Sequence, residues 1–362
     1  MYSYRIMMLG PSGSGKTVYL GSLFQKLSTQ GEWEFFLETD SEKRKKLNKI
    51  YTEVAATGKR WPPGTVRAEV SEWDFTCRIE INSTRYSACQ FVYVDYAGGR
   101  ITDEMGDDSE FEQQLDSSDI LLGLLDGAKI CALMKDEDQG LEWLIYELKN
   151  IIDIMMKAGD KPIHFVISKW DVVESSGYSL KKVKEKLLDS SEPFSNLVRN
   201  RKQKNTTTRL IPVSSVGQGF AKLSFDGSME KIRGKLPKPF QVEVPLACVL
   251  PDLIESKQKD LDRERDRERG RSTRVTASLD WQEKLGEKVP GWLRGITGLK
   301  KAAGSAEEKK READRRSEEL RRQQAAALNK IADEKSALES VLNSFMFIQN
   351  RLYANFPDSD LS

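Results

Sequence analysis

The chain has 362 residues, more than one average domain needs, which indicates one large domain with an appendage or two domains. Charged residues make up 31% of the sequence and hydrophobic residues 38%, so we expect an extended, solvated part beside a folded one. The formal net charge of +1 excludes a global attraction of the whole molecule to nucleic acid or anionic lipid.

The cysteines and the single histidine limit the metal chemistry. Four cysteines are scattered without a CxxC spacing and His164 is the only histidine, which excludes a zinc site of the usual ligand types. We expect His164 to be a core or edge residue of a strand rather than a catalytic one.

The cysteine usage fits a reducing compartment. Because the N-terminus lacks a signal-peptide pattern and no apolar run approaches about 18 residues, we expect a cytoplasmic protein without a transmembrane segment.

Short apolar runs alternate with longer amphipathic stretches up to about residue 250. The runs predict strands at 4–9, 73–81, 87–95, 119–126, 163–168 and 209–214. The stretches include helices predicted at 140–159 and 179–191. This alternation predicts an α/β fold, with a mostly parallel, mixed sheet and helices on both faces. The runs at 73–81 and 87–95 follow each other closely enough to form one antiparallel hairpin.

The composition changes after Pro251. Residues 255–274 are mostly charged, so the segment 251–278 predicts a solvated linker or helix, in which interleaved acidic residues cancel most of the field that would attract nucleic acid. Residues 279–362 predict a helical interaction region. Its basic, tryptophan-bearing part (279–301) fits a partner's groove, packing on the preceding domain or peripheral contact with an anionic membrane. A heptad-like seam over 328–352 fits a helix docked on its own domain or a dimeric coiled coil.

The segment 10–17, GPSGSGKT, matches GxxxxGK[ST] at every fixed position. It follows an apolar strand and opens an apolar-periodic helix, which is the context in which this motif binds phosphate. Lys16 would contact the β- and γ-phosphate oxygens, and Thr17 would give its hydroxyl to Mg²⁺. The residues expected to surround the phosphates with backbone N–H groups are Gly10, Ser12, Gly13, Ser14 and Gly15.

A second motif, Asp95-Tyr96-Ala97-Gly98, stands at the end of the strand predicted at 87–95. Asp95 lies beside the phosphate-binding loop in this arrangement and would reach Mg²⁺ through a water. Gly98 would offer its backbone N–H to the terminal phosphate.

Two later strand ends carry residues suited to a guanine base. After the strand at 163–168, Asp171 can accept hydrogen bonds from both N1–H and the exocyclic amine of guanine, which adenine cannot donate. The aliphatic stem of Lys169 can cover the base. After the next strand, Ser214 and Ser215 could direct a backbone N–H to the guanine O6.

Together, in this order and each at a strand end, these motifs resemble those of the Ras-like GTPases, P-loop NTPases of the translation-factor-related class. In that family they are the phosphate loop, the DxxG motif of switch II, the NKxD or TKxD guanine motif and the SAK motif. The resemblance covers residues 1 to about 220 and extends to about 250. It implies a Ras-like GTPase domain at 1–250 that binds GTP or GDP with Mg²⁺. The chain is similar to bacterial GTPase domains of this class that are encoded in conflict or defence gene neighbourhoods.

The resemblance also implies a switch I threonine. Thr65, in the segment RWPPGTVR, would close its hydroxyl and carbonyl on Mg²⁺ and the γ-phosphate in the triphosphate state. A turn threonine after the preceding Pro-Pro-Gly is the alternative. Against the family pattern, residues of about 40–59 form an inserted helix ahead of switch I.

Hydrolysis is where the sequence departs most from the family pattern. Gly99 stands where many small GTPases have the glutamine that orients the attacking water. Either hydrolysis is slow, or a backbone group, a partner, a second copy or an arginine of this chain supplies the missing contact. The candidate arginines are Arg60, Arg67 and Arg100. Two further departures, Ser168 for Asn or Thr and Val216 for Lys, leave Asp171 and therefore the guanine preference in place.

The sequence is best interpreted as a GTPase that hydrolyses GTP to GDP and acts as a molecular switch. It would change shape at residues 57–70 and 96–108 and report the change to an effector protein through these regions and the C-terminal helices. The residues assigned to catalysis are Lys16, Thr65, Gly98 and Arg100. The alternative is a GTP-bound scaffold with negligible turnover that assembles a multiprotein complex. An ATP-driven motor or kinase is a third hypothesis, and a homo-oligomer is left open.

Overall fold

The computed structural model describes residues 1–56, 58, 60–63, 70–96, 109–224, 227–270, 331 and 333–362, together with the helical residues 311, 315 and 319. Its central sheet has seven strands: β1 (Tyr2–Leu9), β2 (Phe36–Glu38), β3 (Val70–Ile81), β4 (Thr84–Tyr96), β5 (Ile120–Asp126), β6 (Ile163–Ser168) and β7 (Thr208–Pro212). A separate two-stranded hairpin consists of β8 (Ala221–Leu223) and β9 (Met229–Lys231).

The sheet has the order β2-β3-β4-β1-β5-β6-β7. It is mixed: β4, β1, β5, β6 and β7 pair in parallel, whereas β3 runs antiparallel to both of its neighbours. The predicted antiparallel hairpin is therefore confirmed as β3–β4. Its two-residue turn, Asn82-Ser83, has φ values of 49° and 64°, the left-handed geometry that matches the twist of a tight hairpin.

The described helices are α1 (Lys16–Leu27), α2 (Ser41–Ala55), α3 (Ser109–Ser117), α4 (Gly127–Met134), α5 (Asp138–Trp143), α6 (Lys149–Met156), α7 (Trp170–Ser175), α8 (Leu180–Ser190), α9 (Glu192–Gln203), α10 (Val244–Gly270) and α11 (Glu334–Asn355). A π-helical turn, Leu144–Leu148, joins α5 to α6, so the helix predicted at 140–159 is present in two parts. The inserted helix is present as α2. Asp40 caps it by accepting hydrogen bonds from the backbone N–H groups of Glu42 and Lys43.

Helices cover both faces of the sheet, which confirms the predicted α/β architecture. Because side chains alternate along a strand, β1 contributes to two apolar layers. Tyr4, Ile6 and Met8 pack in the layer that contains α1, α10 and α11. Met7 and Leu9 pack in the opposite layer with α3 to α9.

The described part of the seam predicted at 328–352 is docked on its own domain. Helix α11 packs against α10 and β4, and the buried ring of Phe345 lies 5.1 Å from that of Phe35 and 5.8 Å from that of Phe91. Residues 251–270 are helical as the second part of α10. The basic segment 279–301 lies outside the described residues. Among the helices that the structure describes, none combines the length and apolarity that a membrane span requires.

A buried polar cluster ties α10 to the sheet. His164, in β6, is a core histidine as expected, and its Nε2 lies 2.7 Å from Oδ2 of Asp252 in α10. The guanidinium of Arg209, in β7, is paired with the same carboxylate. Burial, together with the nearby Arg209 charge, lowers the pKa of His164 despite its carboxylate partner, so the imidazole is neutral near pH 7.

Candidate functional site

The glycine-rich loop lies between β1 and α1, at the carboxyl edge of the sheet. Strand β1 lies between β4 and β5. From β1 the chain first forms the strands on one side of it (β2 to β4) and then those on the other side (β5 to β7). Open α/β sheets bind ligands at such a point, where the strand order switches sides. Gly13 and Gly15 have φ values of 82° and 96°, a left-handed region that favours glycine. At Gly10 a Cβ would lie 2.7 Å from the Ser14 Oγ, so the loop closes on itself too tightly for a side chain.

Lys16 begins α1 and is held inside the loop. Its Nζ donates a hydrogen bond to the carbonyl oxygen of Gly10 at 2.5 Å and lies 4.0 Å from an Asp95 carboxylate oxygen. Burial lowers the pKa of Lys16, and the Asp95 charge partly opposes this. Asp95 is adjacent because it stands opposite Met8 in the parallel β1–β4 register. The structure thus brings the predicted phosphate lysine and the predicted metal ligand together.

The loop after β6 contains the residues predicted to recognise a base. Lys169 has a left-handed backbone (φ 51°), and its Nζ donates to Oδ2 of Asp126 at 2.6 Å. Asp126 also caps α4 by accepting the N–H of Ala128 at 2.9 Å. This ion pair holds the Lys169 stem in place. Asp126 was not predicted as a site residue, although it stands at the end of a buried strand, as Asp95 does near the end of β4.

Asp171 is 4% exposed and is oriented by the loop that follows β7. The Ser214 hydroxyl donates to Oδ1 of Asp171 at 2.5 Å and accepts the backbone N–H of Gly217 at 2.7 Å. Burial raises the pKa of Asp171, and the Ser214 hydroxyl opposes this increase. The carboxylate is therefore kept in a position that is unfavourable for its charge, which is typical of functional carboxylates.

A cavity of about 600 Å³ opens between these loops, within the usual size range of small-molecule sites. The predicted site residues that line it are Ser12, Gly13, Gly15, Lys16, Thr17, Lys169, Asp171 and Ser215. Gly10, Ser14, Ser214 and Asp95 are buried and are not part of this lining. A second cavity, of about 770 Å³, adjoins the first and shares Asp171 and Gly227 with it.

One wall of the cavity was not predicted. Trp61 and Pro62 face it, together with Val216 and Met229. The indole Nε1 of Trp61 donates to the carbonyl oxygen of Met229 at 2.7 Å, which joins the segment before residue 64 to the β8–β9 hairpin. The Lys231 ammonium lies 5.0 Å from the Trp61 ring centroid. The contact depends on residues more than 160 positions apart, so no local pattern could have indicated it.

Several predicted residues lie outside the described residues: Thr65, Arg67, Gly98, Gly99 and Arg100. Their assignments stay predictions. Arg60 is described and is exposed beside Trp61.

A magnesium site would fit the oxygen ligands beside the phosphate-binding loop. The described residues contain no group of three or more His, Cys, Asp or Glu side chains that could hold a metal by themselves. Mg²⁺ does not require such a group, because it prefers oxygen ligands and is commonly held by one or two protein groups plus substrate phosphates. The Thr17 hydroxyl and the Asp95 carboxylate provide such oxygen ligands.

No protein-family model matches this sequence, and no curated protein matches it at significant similarity.

Proposed function

We propose that the chain is a Ras-like GTPase of the translation-factor-related class, which binds GTP with Mg²⁺, hydrolyses it to GDP and acts as a switch for a partner protein. One observation carries the proposal. A single cavity is lined both by the GxxxxGKT loop and by a buried, oriented aspartate 155 positions after Lys16 in the sequence. A phosphate loop alone would not require the aspartate.

The fold supports this proposal. A phosphate loop between β1 and α1 at a switch point of the sheet brings backbone N–H groups and the positive end of α1 to one place. In the seven-stranded sheet that the structure describes, β3 is the strand that runs against the others, in the hairpin that leads from the predicted switch I to the predicted switch II.

At the phosphate end, one residue would bind phosphate and two others would bind the metal. The Lys16 ammonium, now bonded to the Gly10 carbonyl, is positioned to exchange that bond for β- and γ-phosphate oxygens. Thr17 and Asp95 would hold Mg²⁺, directly and through a water respectively. Bound Mg²⁺ supplies neutralisation of the charge that develops on the phosphate oxygens.

At the base end, Asp171 would accept N1–H and the exocyclic amine of guanine. The Ser214 hydroxyl orients this carboxylate, and the stem of Lys169, fixed by Asp126, would cover one face of the base. Trp61 lines the cavity as well and adds an apolar surface that the other face could contact. Adenine offers no pair of donors to Asp171, so the site should select GTP.

The rate of hydrolysis separates a switch from the scaffold alternative. Gly99 cannot orient water through a side chain, and an arginine that contacts the transition state is worth about 10³–10⁵ in rate. Arg100, another arginine of the chain or a partner would have to provide it. Because the apolar face of α11 is used within the chain, the described part of this helix offers a scaffold little surface for a coiled coil.

The test is a titration of fluorescent GTP and ATP analogues into the wild type and Asp171→Ala, followed by measurement of phosphate release. Glu174→Ala, which removes an exposed acid from the same helix α7, is the matched control. We expect a GTP preference that collapses only in Asp171→Ala. Equal binding of both analogues, unaffected by the substitution, would refute a guanine site. Tight GTP binding without phosphate release would favour the scaffold.

A further inference from the structure

The end of the C-terminal helix reaches the two loops that form the base end of the cavity. Helix α11 ends at Asn355, and the ring of the next residue, Phe356, stands edge-on to Trp170 with 5.8 Å between the ring centroids and an interplanar angle of 87°. The same ring lies 6.3 Å from that of Phe240. Both distances are within the range of attractive aromatic pairs.

Each aromatic neighbour of Phe356 is attached to a residue of the base site. Trp170 immediately precedes Asp171, and its backbone N–H donates to the carbonyl of Val213 at 3.0 Å. Phe240 exchanges two backbone hydrogen bonds with Ser214, of 2.7 and 3.0 Å. Phe356 therefore contacts the residue that precedes Asp171 and the residue whose backbone is hydrogen-bonded to Ser214.

Phe356 is fixed on both of its sides in the sequence. On the N-terminal side, its N–H donates to the Leu352 carbonyl at 2.7 Å and continues the helix. On the C-terminal side, a 3-10 turn at Pro357–Ser359 follows, and the N–H of Leu361 donates to the Thr208 carbonyl at 3.0 Å, beside β7. The ring is thus supported by the sheet as well as by the helix.

We propose that Phe356 is a positioning residue for base recognition, so that docking of the C-terminal helix and binding of guanine reinforce each other. The inference rests on the proposed function and deepens it. Burial of Asp171 disfavours its charged form, so the loop that carries it needs packing to keep the carboxylate buried. Phe356 provides that packing through Trp170. Because coupling between two sites is reciprocal, guanine binding should in turn stabilise α11.

The test compares Phe356→Ala with Phe347→Ala in the full chain. Phe347, in α11, is a matched control because it is half-buried like Phe356, but its ring contacts Trp33, 6.0 Å away, instead of the base loops. Affinities for GTP and ITP are measured for each variant. ITP lacks the exocyclic amine, so the ratio of the two affinities reports how well Asp171 is placed, whereas a general loss of stability would lower both affinities alike.

We expect the GTP-to-ITP affinity ratio to fall about threefold to tenfold in Phe356→Ala, the change that corresponds to loss of one aromatic pair. In Phe347→Ala the ratio should not change. Phe356→Leu, which keeps apolar volume without the ring, should give an intermediate ratio if the alanine variant does not fold. Hydrogen exchange of residues 334–355 in the wild type should become slower with GTP than without it.

The outcomes separate this inference from the proposed function. If the wild type prefers GTP to ITP and ATP, but the ratio is unchanged in both Phe356 variants, or α11 exchanges at the same rate with and without GTP, the positioning role is wrong and the GTPase proposal stands. If the wild type shows no preference for GTP over either analogue, the guanine site itself is wrong.

Discussion

Replacing Asp171 with asparagine should change which base the protein binds. The side chain keeps its shape, and its carbonyl oxygen can still accept the Ser214 hydroxyl that donates to Oδ1 in the wild type. The other carboxylate oxygen becomes an NH₂ donor. Guanine offers two donors to this position, whereas xanthine offers N1–H and a carbonyl oxygen at C2. The variant should therefore lose affinity for GTP and gain affinity for XTP.

The loss of GTP affinity can be estimated from the hydrogen bonds involved. One charge-assisted bond, worth about 1.5–3 kcal/mol, disappears, and a donor is placed against the guanine amine, which leaves a buried group unsatisfied at about 1–3 kcal/mol. The two contributions together amount to about 2.5–6 kcal/mol, which corresponds to roughly a hundredfold to ten-thousandfold weaker binding.

The same substitution should not destabilise the nucleotide-free fold. Burial raises the pKa of Asp171 in the folded chain above its unfolded value, so above that value the ionised group opposes folding. A neutral amide removes this unfavourable contribution at pH 7. The melting temperature of Asp171→Asn without nucleotide should therefore equal or exceed that of the wild type.

The assay pairs titrations of GTP and XTP with thermal melts of the same samples. Glu174→Gln is the control, because it neutralises an exposed acid on α7 and should leave GTP affinity within about twofold. A variant that still preferred GTP would show that Asp171 does not face the base. A clearly lower melting temperature would contradict the reasoning about its burial.

Three further changes test other parts of the structure. Lys16→Met should weaken triphosphate binding about a hundredfold, measured by titration. It should not lower the melting temperature, because burial lowers the pKa of Lys16 and disfavours its charged form, and thermal melts check this. Burial lowers the pKa of His164 below its unfolded value. The contribution of His164 to the free energy of unfolding is therefore fully present above about pH 6.5 and is lost as the pH decreases from there, by at most about 1.4 kcal/mol per pH unit. Urea unfolding at pH 7.5 and 5.5 should show this decrease, and His164→Gln should lose it. Phe345→Ala should lower the free energy of unfolding by about 3–5 kcal/mol, measured by urea denaturation, and an unchanged value would contradict the docking of α11.

The main strands could be predicted because each is long enough to show an apolar run. Strand β5, for example, is buried at every position, and its residues 120–125 form an uninterrupted apolar segment in the sequence. Strands β2, β8 and β9 have three residues each, too few for a periodic pattern, and exist because a neighbouring strand provides hydrogen bonds. The fold class was therefore predictable, and the small edge and hairpin strands were not.

The residues of the site also fall into those that a local pattern predicts and those that depend on distant parts of the chain. Lys16 and Asp171 could be predicted because each belongs to a motif at a strand end, where a local pattern carries chemical meaning. Trp61 could not, since its place in the cavity wall depends on the Met229 carbonyl, which is distant in sequence. The partner of α11 was ambiguous for a related reason, because a heptad pattern identifies the apolar face of a helix but not the surface that covers it.

The polar cluster around Asp252 gives α11 specific polar contacts, which its apolar face cannot provide. Burial alone would raise the pKa of Asp252, but Arg209 and His164 together lower it to about 2, so the carboxylate stays charged in the core. Gln349 of α11 donates to the same carboxylate at 2.9 Å, and Tyr353 contacts Arg209.

Such buried ion pairs add little net stability and are better explained by specificity. An apolar helix could shift along its groove by one turn, about 5.4 Å, and still bury its face. The same shift would remove Gln349 from Asp252 and Phe356 from Trp170 together. We infer that the polar cluster sets the register of α11, and that this register is the one that places Phe356 behind the base loop.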